Sequence, residues 1–338
     1  SGRPTWPRRI EPGAVWPVGS NWTPKPILFS GARPEERRLP VLSHAINRFI
    51  DRQRWLEPVA DFLQKVVGGF YKLLGAPGHT LKTLVHGTWL GHPLHPVITD
   101  IPLGAWTLAI LFDIIYLFNG SQGWSSAADV TIFVGILAAL GAAVTGYTDW
   151  NETVDRERRV GIAHGLINTL VLVIYLVSWL IRLTGGSRGL AIALAFIGYA
   201  LVICAAYLGG EMVFSIGTGV NHHAWQPVPE KFTKVLLEGR LTEGMLVKAV
   251  AGDTPILLFK KGDALCAISE TCSHAGGPLS EGELLGNLVQ CPWHASRFDI
   301  CSGQVRGGPA TISQVRYETR IQNGQIEVRR SEDTLQPN

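Results

Sequence analysis

The hydrophobic positions of this chain change their period twice along the sequence. Between residues 43 and 84 they recur at helical spacing, with basic residues between them, which predicts amphipathic helices. Further on, the apolar residues become almost continuous in four stretches of about 20 residues, at 97–118, 127–147, 162–183 and 190–208. Each stretch has the length that a helix needs to cross the hydrocarbon core of a membrane. After residue 228, short apolar runs alternate with Gly, Asp and Asn turns, a pattern typical of small antiparallel β structure.

These patterns predict a multidomain membrane protein, in which an antiparallel four-helix transmembrane bundle precedes a small all-β domain. The short connections between the four spans favour antiparallel neighbours. The predicted parts are an extended N-terminal arm, amphipathic interfacial helices, the four-helix transmembrane domain, a linker and the β domain, at 1–42, 43–84, 85–210, 211–227 and 228–330. The interfacial helices would lie on a membrane surface, although packing on protein is an equally good reading of their pattern.

The first 40 residues are rich in Pro, Arg and Trp and poor in aliphatic side chains. Such a composition cannot form a core and is typical of a disordered tail or of an arm that a partner holds. We favour the second interpretation and expect the arm to dock on other subunits of a complex.

Composition and charge indicate the environment of the chain and exclude one class of partner. The chain is 46% hydrophobic and 17% charged, with a mean hydropathy of +0.17, which agrees with a part embedded in lipid. A net charge of +3, without a basic run interleaved with aromatics, argues against nucleic acid as a partner. Lys and Arg are concentrated before the first span and between the second and third spans. By the positive-inside rule, both termini and the β domain then face the cytoplasm of a bacterial inner membrane.

The strongest chemical signal is a set of two cysteines and two histidines in the β domain. Cys272-x-His274 is separated by sixteen residues from Cys291-x-x-His294. Four such ligands could hold one tetrahedral zinc ion. They could also hold a mixed-ligand [2Fe-2S] cluster, with two thiolates on one iron and two imidazoles on the other, and this is the interpretation that we favour. Turn-forming residues favour the cluster, because they leave backbone amides free for its sulfides; they are Gly276, Gly277, Pro278, Pro292 and a third loop, Gly307, Gly308 and Pro309.

On this motif, residues 228–330 resemble a Rieske domain. Gly277 and Trp293 stand where the Rieske proteins of cytochrome bc complexes carry a pair of disulfide-bonded cysteines, so the domain is similar instead to Rieske ferredoxins. A disulfide framework is not expected, and the lack of the loop disulfide agrees with a reducing cytoplasm. For Cys266 and Cys301 we expect ordinary packing rather than metal ligation.

The resemblance also implies which residues surround the cluster: Ser296, Phe298 and Pro309. The high-potential branch has a serine and a tyrosine that donate hydrogen bonds to sulfur. Here the serine is present and Phe298 replaces the tyrosine. We therefore predict a midpoint potential between those of the two branches.

The histidines of the membrane part lie at one end of the predicted bundle, the end that carries the β domain. His92, His95, His164 and His223 are candidate ligands of a haem b, since imidazoles on facing helices commonly hold haem iron. A quinone site is the alternative, and simple capping of helix ends by hydrogen bonds to Asp100, Asp149 and Glu211 is another. At the opposite end, Asp113 and Asp129 are expected to be solvated interfacial carboxylates.

Residues 85–220 resemble an uncharacterised bacterial four-helix membrane family that is sometimes fused to Rieske domains. The resemblance rests on the segments HPLHP, TGYTDW and GGEMVF and on His164. It supports the architecture but implies no activity.

The chain shows no facial triad for mononuclear iron and no flavin or nucleotide motif, so electron transfer is expected rather than substrate catalysis. We favour a one-electron carrier subunit of a membrane redox complex, with a Rieske cluster and a haem b or quinone site. Alternatives are a membrane-anchored ferredoxin that feeds a cytosolic oxygenase or reductase, and an accessory subunit of a respiratory or photosynthetic assembly.

Overall fold

The computed structural model describes residues 42–332. The predicted N-terminal arm lies outside the described residues, except for its last position. Three helices open the described part: α1 (Leu42–Asp51), α2 (Leu56–Leu73) and α3 (Gly75–His86). Four longer helices follow: α4 (Leu94–Asn119), α5 (Gln122–Trp150), α6 (Asp155–Leu183) and α7 (Arg188–Glu211).

The four long helices confirm the predicted spans, because each is long and apolar enough to cross a membrane. Helix α4 packs mainly on α5, and α6 mainly on α7, so the bundle consists of two helical hairpins. At its centre, the rings of Trp106 and Tyr175 stack with centroids 4.1 Å apart. Gly135 makes room for Trp106, since an added Cβ would lie 2.2 Å from the indole nitrogen. Aromatic stacking between helices thus joins the two hairpins.

Ion pairs between helices close one end of the bundle, one of them buried and one partly exposed. Arg182 donates two hydrogen bonds to Asp113, of 2.8 and 2.6 Å, and both side chains are fully buried. Arg188 binds Asp129 with both carboxylate oxygens within 2.9 Å. The expectation that Asp113 is a solvated carboxylate was therefore wrong: the carboxylates and guanidinium groups come from different helices and neutralise each other.

Helices α1 and α2 pack against the start of α6. Leu56 and Ala60 are buried against Trp150 and Val160, and Glu57 pairs with Arg158 and with Arg159. The opposite face remains apolar and exposed, with Phe49, Phe62 and Phe70 each more than half exposed. One face is thus packed on protein, while the other has the character of a surface that lies on lipid.

The β domain contains two antiparallel sheets, which confirms the predicted fold class. The first sheet has six strands: β1 (Thr233–Leu237), β2 (Val247–Ala251), β3 (Thr254–Lys261), β4 (Ala264–Ser269), β9 (Arg316–Gln322) and β10 (Gln325–Arg330). They pair in the order β1-β10-β9-β4-β3-β2. Four short strands form the second sheet, β5 (Glu283–Leu285), β6 (Leu288–Gln290), β7 (Arg297–Asp299) and β8 (Val305–Gly307). Alternating apolar residues of β3, such as Leu257 and Leu258, are buried in two separate cores.

A disulfide joins Cys266 in β4 to Cys301 in the turn after β7. Their Cα atoms are 4.8 Å apart, although 35 residues separate them in sequence. The expectation that Cys266 and Cys301 make only ordinary packing contacts was therefore wrong. The two cysteines are close only because the second sheet folds back beside β4, which the spacing of cysteines in the sequence does not reveal.

Candidate functional site

Two tight loops present the cysteines and histidines of the motif. The first follows β4, where the Cys272 amide donates to the Gly277 carbonyl at 2.8 Å and the Gly276 amide donates back to Cys272 at 2.9 Å. The second lies between β6 and β7, where the Cys291 amide donates to the Ser296 carbonyl at 2.8 Å. These bonds turn each loop back on itself, so a cysteine and a histidine project from the same turn.

The four side chains meet as a pair of thiols and a pair of imidazoles. Cys272 and Cys291 are buried and share a hydrogen bond, which lowers the pKa of the Cys291 thiol. The rings of His274 and His294 lie 5.0 Å apart at 83°. Within residues 42–332, no three His, Cys, Asp or Glu side chains converge on one metal position. The arrangement therefore fits a two-iron cluster better than a single zinc ion.

The histidine nitrogens also fit metal ligation. Nδ1 of His274 and Nδ1 of His294 are buried and have no hydrogen-bond partner in the described part of the chain. Burial lowers the pKa of His274 to about 3, and it lowers the pKa of His294 as well. Both imidazoles are then neutral near pH 7, with a lone pair to offer an iron. Buried polar atoms without partners are rare, and a bound metal would satisfy them.

The loop glycine that departs from the cytochrome bc pattern has a steric role. A Cβ on Gly277 would lie 2.8 Å from Sγ of Cys291 and 3.1 Å from the Trp293 ring. The two loops approach so closely at this point that a side chain on residue 277 would force them apart.

The three residues predicted around the cluster all lie at the site. The Ser296 hydroxyl accepts a 3.0 Å hydrogen bond from the Ala310 amide and keeps its own proton to donate. Phe298 is fully buried in the same core as Cys272 and Cys291. Pro309, in the third loop, lines a cavity together with His274.

Two histidines of α3 contact the third loop at the cluster site, and the sequence analysis missed them. Gly307 lies against the His79 ring, and Gly308 against the His86 ring. His86 is buried, and its Nδ1 donates to Asp149 of α5 at 2.7 Å. The seven-residue spacing of the two histidines, which places them on one helix face, was the available signal.

The linker histidines hold the first cluster loop. The amide of His222 donates to the Ser273 carbonyl at 3.3 Å, and Nε2 of His223 lies 2.5 Å from the Thr271 carbonyl. Burial lowers the pKa of His223, so the ring is neutral and donates this bond. The structure thus places His223 beside the Rieske-like loop rather than inside the bundle.

Within the bundle, the structure brings His95 of α4 and His164 of α6 together. Their ring centroids are 6.3 Å apart, and the planes are inclined at 85°. His92 lies apart from them, just before α4, where its ring is exposed and its Nδ1 contacts the Pro93 carbonyl.

A cavity of about 440 Å³ separates the two helical hairpins and extends to the β domain. Its bundle end is lined by His95, His164 and Asn168, and its other end by Ser273 and His274, among other residues. One continuous space therefore connects a candidate cluster ligand with the histidine pair of the membrane helices.

Comparison with known proteins identifies both parts of the chain. Residues 231–318 match the model of the Rieske [2Fe-2S] domain, and residues 91–222 match that of a predicted membrane protein family, DUF2231.

Among curated relatives, the anthranilate 1,2-dioxygenase ferredoxin subunit of Burkholderia cepacia is 40% identical over 87 residues, which are 26% of this chain and 81% of the relative. Ferredoxin CarAc of Metapseudomonas resinovorans is 32% identical over 77 residues, 23% of this chain and 72% of the relative. A solved complex of reduced oxygenase and oxidized ferredoxin in carbazole 1,9a-dioxygenase matches with 28% identity and a TM-score of 0.28, covering 30% of this chain and 94% of the matched chain.

Proposed function

We propose that this chain, which belongs to the Rieske [2Fe-2S] family and carries a DUF2231 membrane domain ahead of its Rieske domain, is a membrane-bound one-electron carrier of a redox complex. A Rieske cluster takes up and releases a single electron. Cys272 and Cys291 would hold one iron, and His274 and His294 the other. The paired thiols, the paired imidazoles and their unpartnered Nδ1 atoms support this assignment.

The observation that carries the proposal is that His274 lines the cavity of the membrane bundle. A cluster ligand at this position gives electrons a short route between the Rieske domain and a redox group, a haem b or a quinone, held among the helices. A ferredoxin that merely uses the bundle as an anchor would not need such a connection.

The contacts between the domains keep this route in place. The Thr88 hydroxyl donates to the Ala310 carbonyl at 3.2 Å, while His86 packs against Gly308 and binds Asp149 of the bundle. On the other side of the cluster, His223 holds Thr271. Because helix α3 and the linker grip different cluster loops, we expect the Rieske domain to transfer electrons while docked, without swinging away from the bundle.

Stopped-flow reduction of the full chain in lipid nanodiscs tests the proposal. A lipid-soluble quinol as reductant should reduce the cluster through the cavity, and Thr311→Trp, which would fill the cavity beside His274, should slow this reaction at least tenfold. Val250→Trp, on an exposed position of β2, is the matched control. The proposal fails if a quinol reduces the cluster equally fast in both variants, or not at all.

A second function, a membrane-anchored ferredoxin that serves a soluble oxygenase or reductase, is favoured by the outer side of the cluster. There Trp293 is 57% exposed, and Glu281 and Glu283 lie beside it and His294 in a shallow depression. Two relatives of the β domain are ferredoxins, one of them a subunit of anthranilate 1,2-dioxygenase. If a soluble reductase reduces the cluster rapidly, and Trp293→Ala slows that reaction while Thr311→Trp does not, this second function is the correct one.

For the location, we propose a bacterial inner membrane with the Rieske domain and both termini in the cytoplasm, and other subunits of the complex bound to the N-terminal arm. The distribution of Lys and Arg supports this orientation. The Cys266–Cys301 disulfide favours the opposite, oxidising side, because disulfides persist mainly outside the cytosol. Labelling of the two faces, described in the Discussion, decides between them.

A further inference from the structure

We infer that His95 and His164 are the two axial ligands of a haem b in the bundle cavity; this inference rests on the proposed function and specifies the redox group that faces the cluster. The two histidines belong to different hairpins, His95 to the α4–α5 hairpin and His164 to the α6–α7 hairpin. A haem between them would therefore lie in the cavity that separates the hairpins.

Both hairpins hold their histidine in the same way. Nδ1 of His95 donates to the Ala142 carbonyl of α5 at 2.9 Å, and Nδ1 of His164 donates to the Ala205 carbonyl of α7 at 2.8 Å. A hydrogen bond from one ring nitrogen to a carbonyl is the usual support of a metal-ligating histidine. It fixes the proton on Nδ1 and leaves the lone pair on Nε2. The repetition in two hairpins is not expected of histidines that only cap helix ends.

A glycine four residues after each carbonyl completes the arrangement. A Cβ on Gly146 would lie 2.6 Å from Cε1 of His95, and a Cβ on Gly209 would lie 3.3 Å from Cε1 of His164. Each imidazole therefore places its Nδ1–Cε1 edge against helix backbone, where a methyl group would clash with His95 and would crowd His164. The glycines provide the space in which the rings keep their orientation.

The separation of the rings matches ligation of one iron from opposite sides. With a metal–nitrogen bond of roughly 2 Å and a ring centre about 1.2 Å beyond the nitrogen, two axial imidazoles have centroids about 6.4 Å apart. The observed distance is 6.3 Å. Since the Nδ1 proton of His164 is donated to the Ala205 carbonyl, Nε2 accepts a 3.1 Å hydrogen bond from the Asn168 amide, a bond that an iron ion would replace. The same amide also donates to the His164 carbonyl and would retain that bond when iron binds Nε2.

The site gives the cluster a one-electron partner. The cavity that contains both imidazoles also reaches His274. An electron that leaves the reduced cluster converts ferric haem to ferrous haem, and the reverse transfer restores both groups. No proton and no bond need to be exchanged, so the two centres require only proximity.

The experiment uses the full chain, expressed with haem supplied and purified in detergent. We expect about one haem b per chain by the pyridine haemochrome assay, and a six-coordinate low-spin optical spectrum. Because the imidazole planes are nearly perpendicular, the ferric haem should show the strongly anisotropic low-spin EPR signal of crossed axial ligands. His95→Ala and His164→Ala should each lose the low-spin spectrum, while His92→Ala should keep it.

A second pair of variants guards against a folding defect. Gly146→Ala should lower haem content at least fivefold by displacing His95, whereas Gly141→Ala on the same helix meets only ordinary contact with Ile98 and should leave it unchanged. The EPR signal of the Rieske cluster reports in every variant whether the chain has folded.

The inference is overturned if the wild-type chain carries the cluster but no haem, including the case in which a quinone copurifies instead, or if His95→Ala and His164→Ala retain the wild-type haem spectrum. In these cases the cluster can still be reduced from the cavity side, so the proposed carrier function would stand. Failure of that function shows itself separately, as a cluster that no reductant reaches through the cavity.

Discussion

Ser296 and Phe298 differ in whether their side chains can donate a hydrogen bond at the cluster site. The hydroxyl accepts from the Ala310 amide and retains a proton to donate, while the ring is apolar and fully buried in the same core as Cys272 and Cys291. A donor to sulfur stabilises the more negative, reduced cluster. The potential of this protein should consequently respond to both positions.

Replacing Ser296 by Ala should lower the midpoint potential, and replacing Phe298 by Tyr should raise it. A hydrogen bond to a charged group contributes roughly 1.5–3 kcal/mol, which corresponds to about 60–130 mV for a one-electron couple. An EPR-monitored redox titration measures both shifts. An unchanged or higher potential in Ser296→Ala would contradict the assignment of Ser296 as a donor.

The Cys266–Cys301 disulfide is expected to stabilise the Rieske domain. Replacing both Cys266 and Cys301 by Ser should lower the free energy of unfolding of the Rieske domain by about 4 kcal/mol, the entropy of closing a loop of this length. Thermal loss of the cluster absorbance, followed with and without reductant, provides the measurement. Cys204→Ser, at an exposed cysteine of α7, should leave the transition unchanged.

Among the helices, the buried ion pairs distinguish the end of the bundle away from the Rieske domain. Arg182 contacts both Asp113 and Asp129, and Arg188 contacts Asp129, so four side chains from α4, α5, α6 and α7 form one network. Charges inside the membrane are tolerated when they pair within the protein. The network fixes the register of the two hairpins at the end where the cavity does not reach.

Asp113→Ala should therefore destabilise the bundle by about 3–5 kcal/mol, because it leaves the buried Arg182 guanidinium without its main partner. Asp100→Ala, on the same helix but exposed, should change stability by less than about 0.5 kcal/mol. Both variants are unfolded with increasing concentrations of a denaturing detergent, and the loss of helix is followed by circular dichroism. Equal stability of the two variants would show that the pair contributes nothing.

On the scale of the whole molecule, the orientation in the membrane determines which partners the cluster can meet. A cysteine at Gly189, in the first turn of α7, and a cysteine at Asp263, in the turn between β3 and β4, would mark opposite faces. With the Rieske domain in the cytoplasm, an impermeant maleimide should label Gly189→Cys in intact cells and Asp263→Cys only after lysis. The reverse pattern would place the domain on the oxidising side, in keeping with its disulfide.

The N-terminal arm is proposed to attach the chain to a larger assembly. Deleting residues 1–41 should release the chain from its larger assembly in native gels of solubilised membranes, because the Pro-, Arg- and Trp-rich segment is proposed to bind other subunits. The cluster should remain reducible, since its loops are held by Thr88, just after α3, and by His223 of the linker. Comigration of the truncated chain with the complex would exclude the arm as the docking element.

Much of this architecture follows from local features of the sequence. The four spans follow from the number of consecutive apolar residues, which is set by the thickness of the hydrocarbon core, and the family of the β domain follows from a motif of two short loops. In each loop, a cysteine and a histidine lie within a few residues of each other. Turn-forming Gly and Pro residues therefore suffice to present both side chains on the same side.

The tertiary structure decided the features that depend on how distant elements pack. The rotation of the helices about their axes brings His95 and His164 together at the end of the bundle next to the Rieske domain, and it buries Asp113 against Arg182. The return of the second sheet brought Cys301 to Cys266, and the docking of α3 placed His86 against the third cluster loop. Such contacts join residues far apart in the chain, so periodicity and spacing do not encode them; they arise only when complementary surfaces are buried together.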